Sequence, residues 1–191
     1  MTTAQHKFTV DDYRALPDGP PHTQLIDGEF FVFESATPFH QQILGNLQVA
    51  LVLWARATGG GTVALGPLDV YLSQFDVVQP DLIFIARDRL SIIQRRIHGP
   101  PDLVIEILSP STRAVDKGKK AALYARSGVK EMWIVEPELE AVMLHHFGKG
   151  GEMSVRTATG TDIIASSLLP GFEMKAAEVF ESDLPPEARI A

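Results

Sequence analysis

Two carboxylates in this sequence stand in apolar company. Asp81 lies between Gln79-Pro80 and Leu-Ile-Phe-Ile, and Glu106 lies inside Leu103-Val-Ile-Glu-Ile-Leu108. An ionised carboxylate in such a strand loses several kcal/mol of hydration, so it must be paired, protonated, set at a solvent-accessible strand end or bound to a cation. Strand alternation puts Asp102, Val104, Glu106 and Leu108 on one face, yet four residues at about 3.3 Å each hold Asp102 and Glu106 roughly 13 Å apart. Those two cannot clasp one metal ion, whereas Asp81 and Glu106, on different strands, can. A third component is Asp116, Lys120 and Tyr124, whose spacing of four lines them along one helical face. An inward Lys120 would meet the carboxylates. The competing reading is a surface Asp116 to Lys120 pair worth about 0.3–0.5 kcal/mol, with Tyr124 half-buried in packing.

Other chemistries fall away. There is no cysteine, hence no disulfide, thiolate zinc site or cysteine nucleophile, and any metal must take oxygen or imidazole ligands. Ser109 lacks the Gly-x-Ser-x-Gly elbow of a serine hydrolase and reads as the exit from a strand. His145 and His146 are neighbours in a strand and point to opposite faces, which opposes joint ligation. Gly59-Gly-Gly lacks the Lys-Ser/Thr ending of a phosphate loop. Trp54, Trp133 and Phe84 sit in periodic apolar segments and read as packing residues.

The elements that must position these residues follow from composition and periodicity. The 191 residues, 45% hydrophobic and 21% charged, suffice for one packed core and are short for two, so the chain reads as one domain over 1–191. A net charge of −7 opposes broad non-specific affinity for nucleic acid or anionic membrane. Residues 87 to 130 depart from that average, with ten basic side chains against four acidic ones. Such a segment either alternates charge for solubility or serves a phosphate-bearing substrate. The polar start, Met1 to Val10, lacks the apolar core of a signal peptide, and the longest apolar stretch, Ile43 to Trp54, is interrupted by Gly45, Asn46 and Gln48. A cytoplasmic protein without membrane spans is expected.

Thr9 can cap a short opening helix that ends in the loop Pro17-Asp-Gly-Pro-Pro. Gln24 to Phe33 reads as a hairpin turning at Asp27-Gly28. Thr37-Pro38 opens a long core helix ending at Gly59-Gly-Gly. Thr62 to Leu65, Leu68 to Leu72, Val77 to Ala86 and Asp102 to Leu108 read as central sheet strands. Ser111 or Thr112 can cap a helix over about Arg113 to Ser127, closed by Gly128, and Glu131 to Val135 resumes a strand, which makes a crossover unit. Val142 to Phe147 and Met153 to Thr157 pair around Gly148-Lys-Gly-Gly, and Ala176 to Phe180 closes with a helical turn.

From Phe8 to Phe180 the chain resembles the bacterial Uma-type family of proposed restriction endonucleases, a group within the PD-(D/E)XK nuclease superfamily. The residues that carry the resemblance are Leu25-Ile-Asp-Gly-Glu29, His40-Gln-Gln-Ile, Asp69-Val-Tyr-Leu, Gln79-Pro-Asp81, Pro101-Asp-Leu-Val-Ile-Glu-Ile-Leu-Ser-Pro-Ser-Thr112, Asp116 to Lys120 with Tyr124, Gly128-Val, and Glu131-Met-Trp-Ile-Val-Glu-Pro137. The resemblance implies an α/β fold with a restriction-endonuclease-like core over about 37–136. That core is a mixed central β-sheet flanked by helices, with an N-terminal β-hairpin and a C-terminal hairpin extension.

It implies hydrolysis of nucleic-acid phosphodiester bonds, DNA foremost, with Asp81, Glu106 and the backbone carbonyl of Ile107 holding Mg²⁺ or Mn²⁺. Lys120 would orient water or balance phosphate charge. His40, Glu29, Asp69 and Tyr124 are supporting candidates. For His40 the alternative is a cap-region histidine bonded to backbone or solvent, and for Glu29 and Asp69 a strand-end solvating role. Two departures stand out: the superfamily's Glu-x-Lys reads Glu106-Ile-Leu108, with the lysine moved to Lys120, and Gln24 replaces a frequent Glu. They leave open a catalytically weak or inactive module that binds nucleic acid or protein. A two-fold homodimer through a sheet edge or the core helix is a further expectation.

Overall fold

The computed structural model describes residues 7–17, 22–110, 112–148 and 153–189. The expected loop over 18–21, the Ser111 cap and the hairpin tip over 149–151 lie outside those residues.

The first hairpin pairs β1 (His22–Ile26) with β2 (Glu29–Phe33), and Asp27 and Gly28 both take positive φ in a tight two-residue turn. The long helix Pro38–Thr58 starts where the Thr37 side chain accepts the His40 N–H, and it stops at Gly59 with φ 66°. Strands β3 (Gly61–Leu65), β4 (Val70–Ser73), β5 (Asp76–Val78) and β6 (Leu82–Ala86) follow. A 3-10 turn over Arg87–Ile92 leads to β7 (Ile97–His98) and β8 (Leu103–Ile107). After the crossover helix come β9 (Glu131–Glu136), β10 (Ala141–Phe147) and β11 (Met153–Thr159), then the small pair β12 (Ile163–Ile164) and β13 (Met174–Lys175).

Two sheets result. The larger runs β11-β10-β9-β8-β6-β3, with β8 and β9 parallel across the crossover, and the smaller runs β2-β1-β5-β4-β7. This mixed α/β architecture agrees with the sequence reading, but two strands sit elsewhere than expected. Val77 to Ala86 is not one strand. Pro80 has no N–H to give a ladder, and the chain leaves the small sheet after β5 and enters the large one at β6. Leu68 to Leu72 likewise contributes β4 to the small sheet, where the N-terminal hairpin also pairs.

Leu103, Ile105 and Ile107 of β8 face the long helix through Ile43, Leu47 and Leu51. Val104 and Leu108 face the opposite way, toward Leu123 and Tyr124 of the crossover helix and Val70 and Val78 of the small sheet. The large sheet is therefore covered on both sides, which is why its central strands read as apolar runs. Among the described residues no helix is long and apolar enough to cross a membrane.

The crossover helix is not uniform. An α-turn at Arg113–Val115 passes into a π-turn at Asp116–Lys120 before regular helix resumes over Ala121–Ser127. Thr112 does not cap it with its side chain; its hydroxyl accepts the Ser109 N–H at 3.1 Å instead, fixing the exit from β8.

Asp102 shows how the apolar sheet tolerates an acid. Fully buried beside β8, it meets Lys130 at 2.6 Å and Arg89 at 2.9 Å and accepts the Ala86 N–H at 2.8 Å. Burial opposes its charge, but Lys130, the Ala86 amide and Arg89 outweigh it and hold the carboxyl below its ordinary range. A depressed carboxyl adds stability above its unfolded value, near 3.9, that disappears as pH falls through the folded value. Asp102→Asn is expected to lower stability by about 2 kcal/mol at pH 7 in urea unfolding, between the values for exposed and for buried pairs because both cations keep solvent access. The gap from the wild type should shrink at about pH 3, and a gap of unchanged size would contradict the assignment.

Candidate active site

Asp81 and Glu106 meet because β6 and β8 are antiparallel neighbours. Their register pairs Leu82 with Ile105, so one step further sets Asp81 opposite Glu106. Asp81 Oδ2 accepts the Ile107 N–H at 2.7 Å, which fixes the carboxylate against β8. Gly66 seals the other side: its N–H donates to the Asp81 carbonyl at 2.9 Å, and a Cβ there would lie 2.5 Å from the Pro80 carbonyl oxygen. His40 reaches in from the first turn of the long helix, with Nε2 3.3 Å from Asp81 Oδ2. Burial works against an imidazolium there, yet the hydrogen bond and charge of Asp81, with the Ile107 backbone, raise the His40 pKa.

Glu106 is gripped from the opposite side. Its Oε2 lies 3.0 Å from Lys120 Nζ, and its Oε1 accepts the Tyr124 hydroxyl at 2.6 Å. Lys120 Nζ also meets Asp116 at 2.9 Å, and all four side chains are buried. Asp116 and Lys120 are the ends of the π-turn, a widened turn of the kind often found at functional sites. The surface-pair alternative for these residues does not hold. Burial pushes the Glu106 carboxyl up to about 8, with Lys120 opposing and the Asp116 and Asp81 charges adding. Burial would lower Lys120, but Glu106 and Asp116 hold it strongly protonated. Burial and the neighbouring Glu106 carboxylate keep the Tyr124 hydroxyl protonated.

His40, Asp81, Glu106, Asp116 and Lys120 line a cavity of about 380 Å³. Its wall carries four carboxyl groups, from Glu34, Asp81, Glu106 and Asp116, against the single ammonium of Lys120 and the imidazoles of His22 and His40. Three buried polar atoms on the same wall, Gln24 Oε1, His40 Nδ1 and Asp116 Oδ1, have no hydrogen-bond partner among the described residues, although Asp116 Oδ1 lies in the ion pair with Lys120. Asp81 Oδ1 is likewise free of one, so Asp81 keeps an oxygen for a further ligand. Hard oxygen donors and surplus negative charge suit a small divalent cation. Among the described residues no three His, Asp or Glu side chains are gathered as a metal cluster. Mg²⁺ does not require that, since it keeps several waters and takes one or two carboxylates.

The remaining candidates lie elsewhere. Glu29 is held by Lys119 at 2.6 Å outside the cavity, and Lys119 lowers its pKa. Asp69 belongs to a separate cluster, accepting from Tyr13 at 2.9 Å and Gln79 at 2.8 Å and pairing with Arg96 at 3.0 Å. Leu108, in the position of the superfamily lysine, packs into the core beside Tyr124, and the ammonium near Glu106 comes from Lys120. His145 is half-buried and lowered by burial, while exposed His146 stands 3.5 Å from Glu131, so the two do not act together.

Sequence reasoning missed two features. Buried Glu136 gathers Arg113 and Lys117, and its signal was the same: an acid inside an apolar strand. The basic segment over 87–130 is largely spent inside the fold, with Arg89, Arg96, Arg113, Lys117, Lys119, Lys120, Arg126 and Lys130 all in ion pairs. Neither solvation nor phosphate binding accounts for most of that excess.

The model of the family described as "Uma2: Putative restriction endonuclease" matches residues 10–177. The chain is also similar to the crystal structure of a putative nuclease belonging to DUF820 from Anabaena variabilis, with a TM-score of 0.78 and 16% identity, over 91% of this chain and 97% of that one. At that identity the likeness concerns the fold. No curated protein matches the sequence.

Removing the buried ammonium strands two carboxylates. Lys120→Met is expected to destabilise the protein by about 3–5 kcal/mol in chemical denaturation, and adding Glu106→Gln should recover part of that loss. A change within about 0.5 kcal/mol would return Lys120 to the surface.

Proposed function

The chain belongs to the Uma2 restriction-endonuclease family, and on that premise we propose that it is a metal-dependent endonuclease that hydrolyses phosphodiester bonds of DNA. The observation that carries the reading is the pairing of Asp81 with Glu106 at the mouth of one carboxylate-rich cavity, with Lys120 beside Glu106. Asp81, Glu106 and the Ile107 carbonyl would hold the cation. The chemistry that Mg²⁺ or Mn²⁺ would supply there is Lewis-acid polarisation of a phosphate oxygen and a lowered pKa for a bound water.

The protein's own groups do the positioning. Tyr124 holds one Glu106 oxygen and Lys120 the other, so the carboxylate cannot rotate away from Asp81. The Ile107 N–H and His40 fix Asp81 Oδ2 and leave Oδ1 for the ligand. Lys120 supplies a fixed positive charge where a phosphate would bring negative charge, and that charge strengthens in a site shielded from water. His40, with its raised pKa, adds a second cationic group on the Asp81 side of the cavity.

A second reading, a nuclease fold that binds without cutting, is favoured by the engagement of both Glu106 oxygens and by neutral Gln24 on the wall. Cleavage separates the two. Nicking of supercoiled and single-stranded circular DNA should require Mg²⁺ or Mn²⁺, stop in EDTA, and fall at least about 100-fold in Asp81→Asn and in Glu106→Gln. Metal-dependent cleavage that survives both substitutions would contradict the proposal.

A further inference from the structure

The cavity does not end at the carboxylates. His22, Pro67 and Gln79 wall both it and a second cavity of about 390 Å³, and Arg14 and Tyr71 wall both that one and a third of about 490 Å³. The three make one groove that leads from Asp81 across β4 toward His98 on β7, an edge of the small sheet. Each is of a size that holds a small ligand.

Aromatic and cationic groups gather at the far end. The Tyr71 and His98 rings are stacked at 5.2 Å and 10°, Tyr13 meets Tyr71 edge-on at 6.4 Å, and the Arg14 guanidinium lies 5.3 Å from the Tyr71 centroid. His98 and Arg14 are exposed. Arg14 pairs only with Asp11, at 3.4 Å and with the acid 91% exposed, a contact too solvated to hold the guanidinium. Asp69, midway along, is balanced by Arg96. In the far part of the groove Arg14 faces Asp11 and Arg96 faces Asp69, so charges balance there and an anion meets less repulsion than at Asp81, beside a ring stack whose His98 member is exposed.

A stacked ring pair with a loosely held cation suits bases whose faces are uncovered, since every base has a π-face and duplex pairing hides it. From this arrangement we infer that the groove takes a single-stranded polynucleotide segment flanking the bond at Asp81 and stacks one of its bases on the Tyr71 and His98 pair. The inference rests on the nuclease reading of the adjoining cavity. One loosely held guanidinium group, Arg14, implies about one phosphate contact, hence a shallow salt dependence with a log–log slope of about −0.7.

Fluorescence anisotropy of a labelled oligothymidylate of about 12 nucleotides, in EDTA, reads the groove without cleavage. His98→Ala is expected to weaken binding about 10-fold and Arg14→Ala about 3-fold, with a blunt duplex of equal length bound at least about 10-fold more weakly than the single strand. Arg56→Ala, which removes an exposed guanidinium outside the groove, should bind as the wild type does, and an unchanged thermal unfolding midpoint of each variant guards against a folding failure. Binding indifferent to His98→Ala and Arg14→Ala, or a duplex bound as tightly as the single strand, would overturn the inference. Groove binding that responds to His98→Ala without cleavage in any metal overturns the catalytic reading alone. Metal-dependent cleavage of duplex with binding indifferent to His98→Ala overturns the groove alone.

Discussion

The structure turns on one ammonium buried between two carboxylates. Glu106 lies in a central strand covered on both faces, and Asp116 is equally buried, so neither can stay charged without Lys120 between them. That requirement places the crossover helix: its first turns must cross β8 at Glu106, and the π-turn widens the helix where Asp116 and Lys120 face inward. Tyr124, one turn later, completes the grip. Apolar side chains of similar volume could fill the same space at no loss of stability, so packing does not explain this arrangement. A carboxyl group held at a cavity wall, beside the ammonium that favours its ionised form, does.

The second constraint is the passage between sheets at Gln79-Pro80-Asp81. Because the chain leaves β5 and enters β6 there, Asp81 begins a strand at the rim and keeps solvent access, while Glu106 across the ladder is sealed. One acid is open and the other fixed, which gives the pair a direction. Gly66 allows the backbone to close against Pro80, and Gln79 ties the same passage to Asp69 and Tyr13 in the neighbouring groove. The carboxylate-lined cavity and the groove thus share one connection.

Most of this was legible in the sequence. Helix ends followed from Thr37-Pro38, Gly59 and Gly128, the first hairpin from Asp27-Gly28, and the inward face of the crossover helix from the spacing of Asp116, Lys120 and Tyr124. What failed were features that need a partner in space. Val77 to Ala86 looks continuous in hydropathy, and only Pro80 hints that two sheets divide it. His40 was legible as a site candidate and as a cap-region residue, and it is both: Thr37 takes its backbone N–H while its side chain joins Asp81. The basic excess between residues 87 and 130 suggested a surface, whereas distant acids such as Glu29, Asp69 and Glu136 consume it.

The central claim is that Asp81 and Glu106 form one cation site. Anomalous diffraction from a crystal soaked in Mn²⁺ tests it without any choice of substrate. The account predicts a peak bonded to oxygens of both carboxylates at about 2.1 Å, with Lys120 still beside Glu106. An empty cavity at saturating Mn²⁺, or a peak held by one acid with the other turned away, would contradict it.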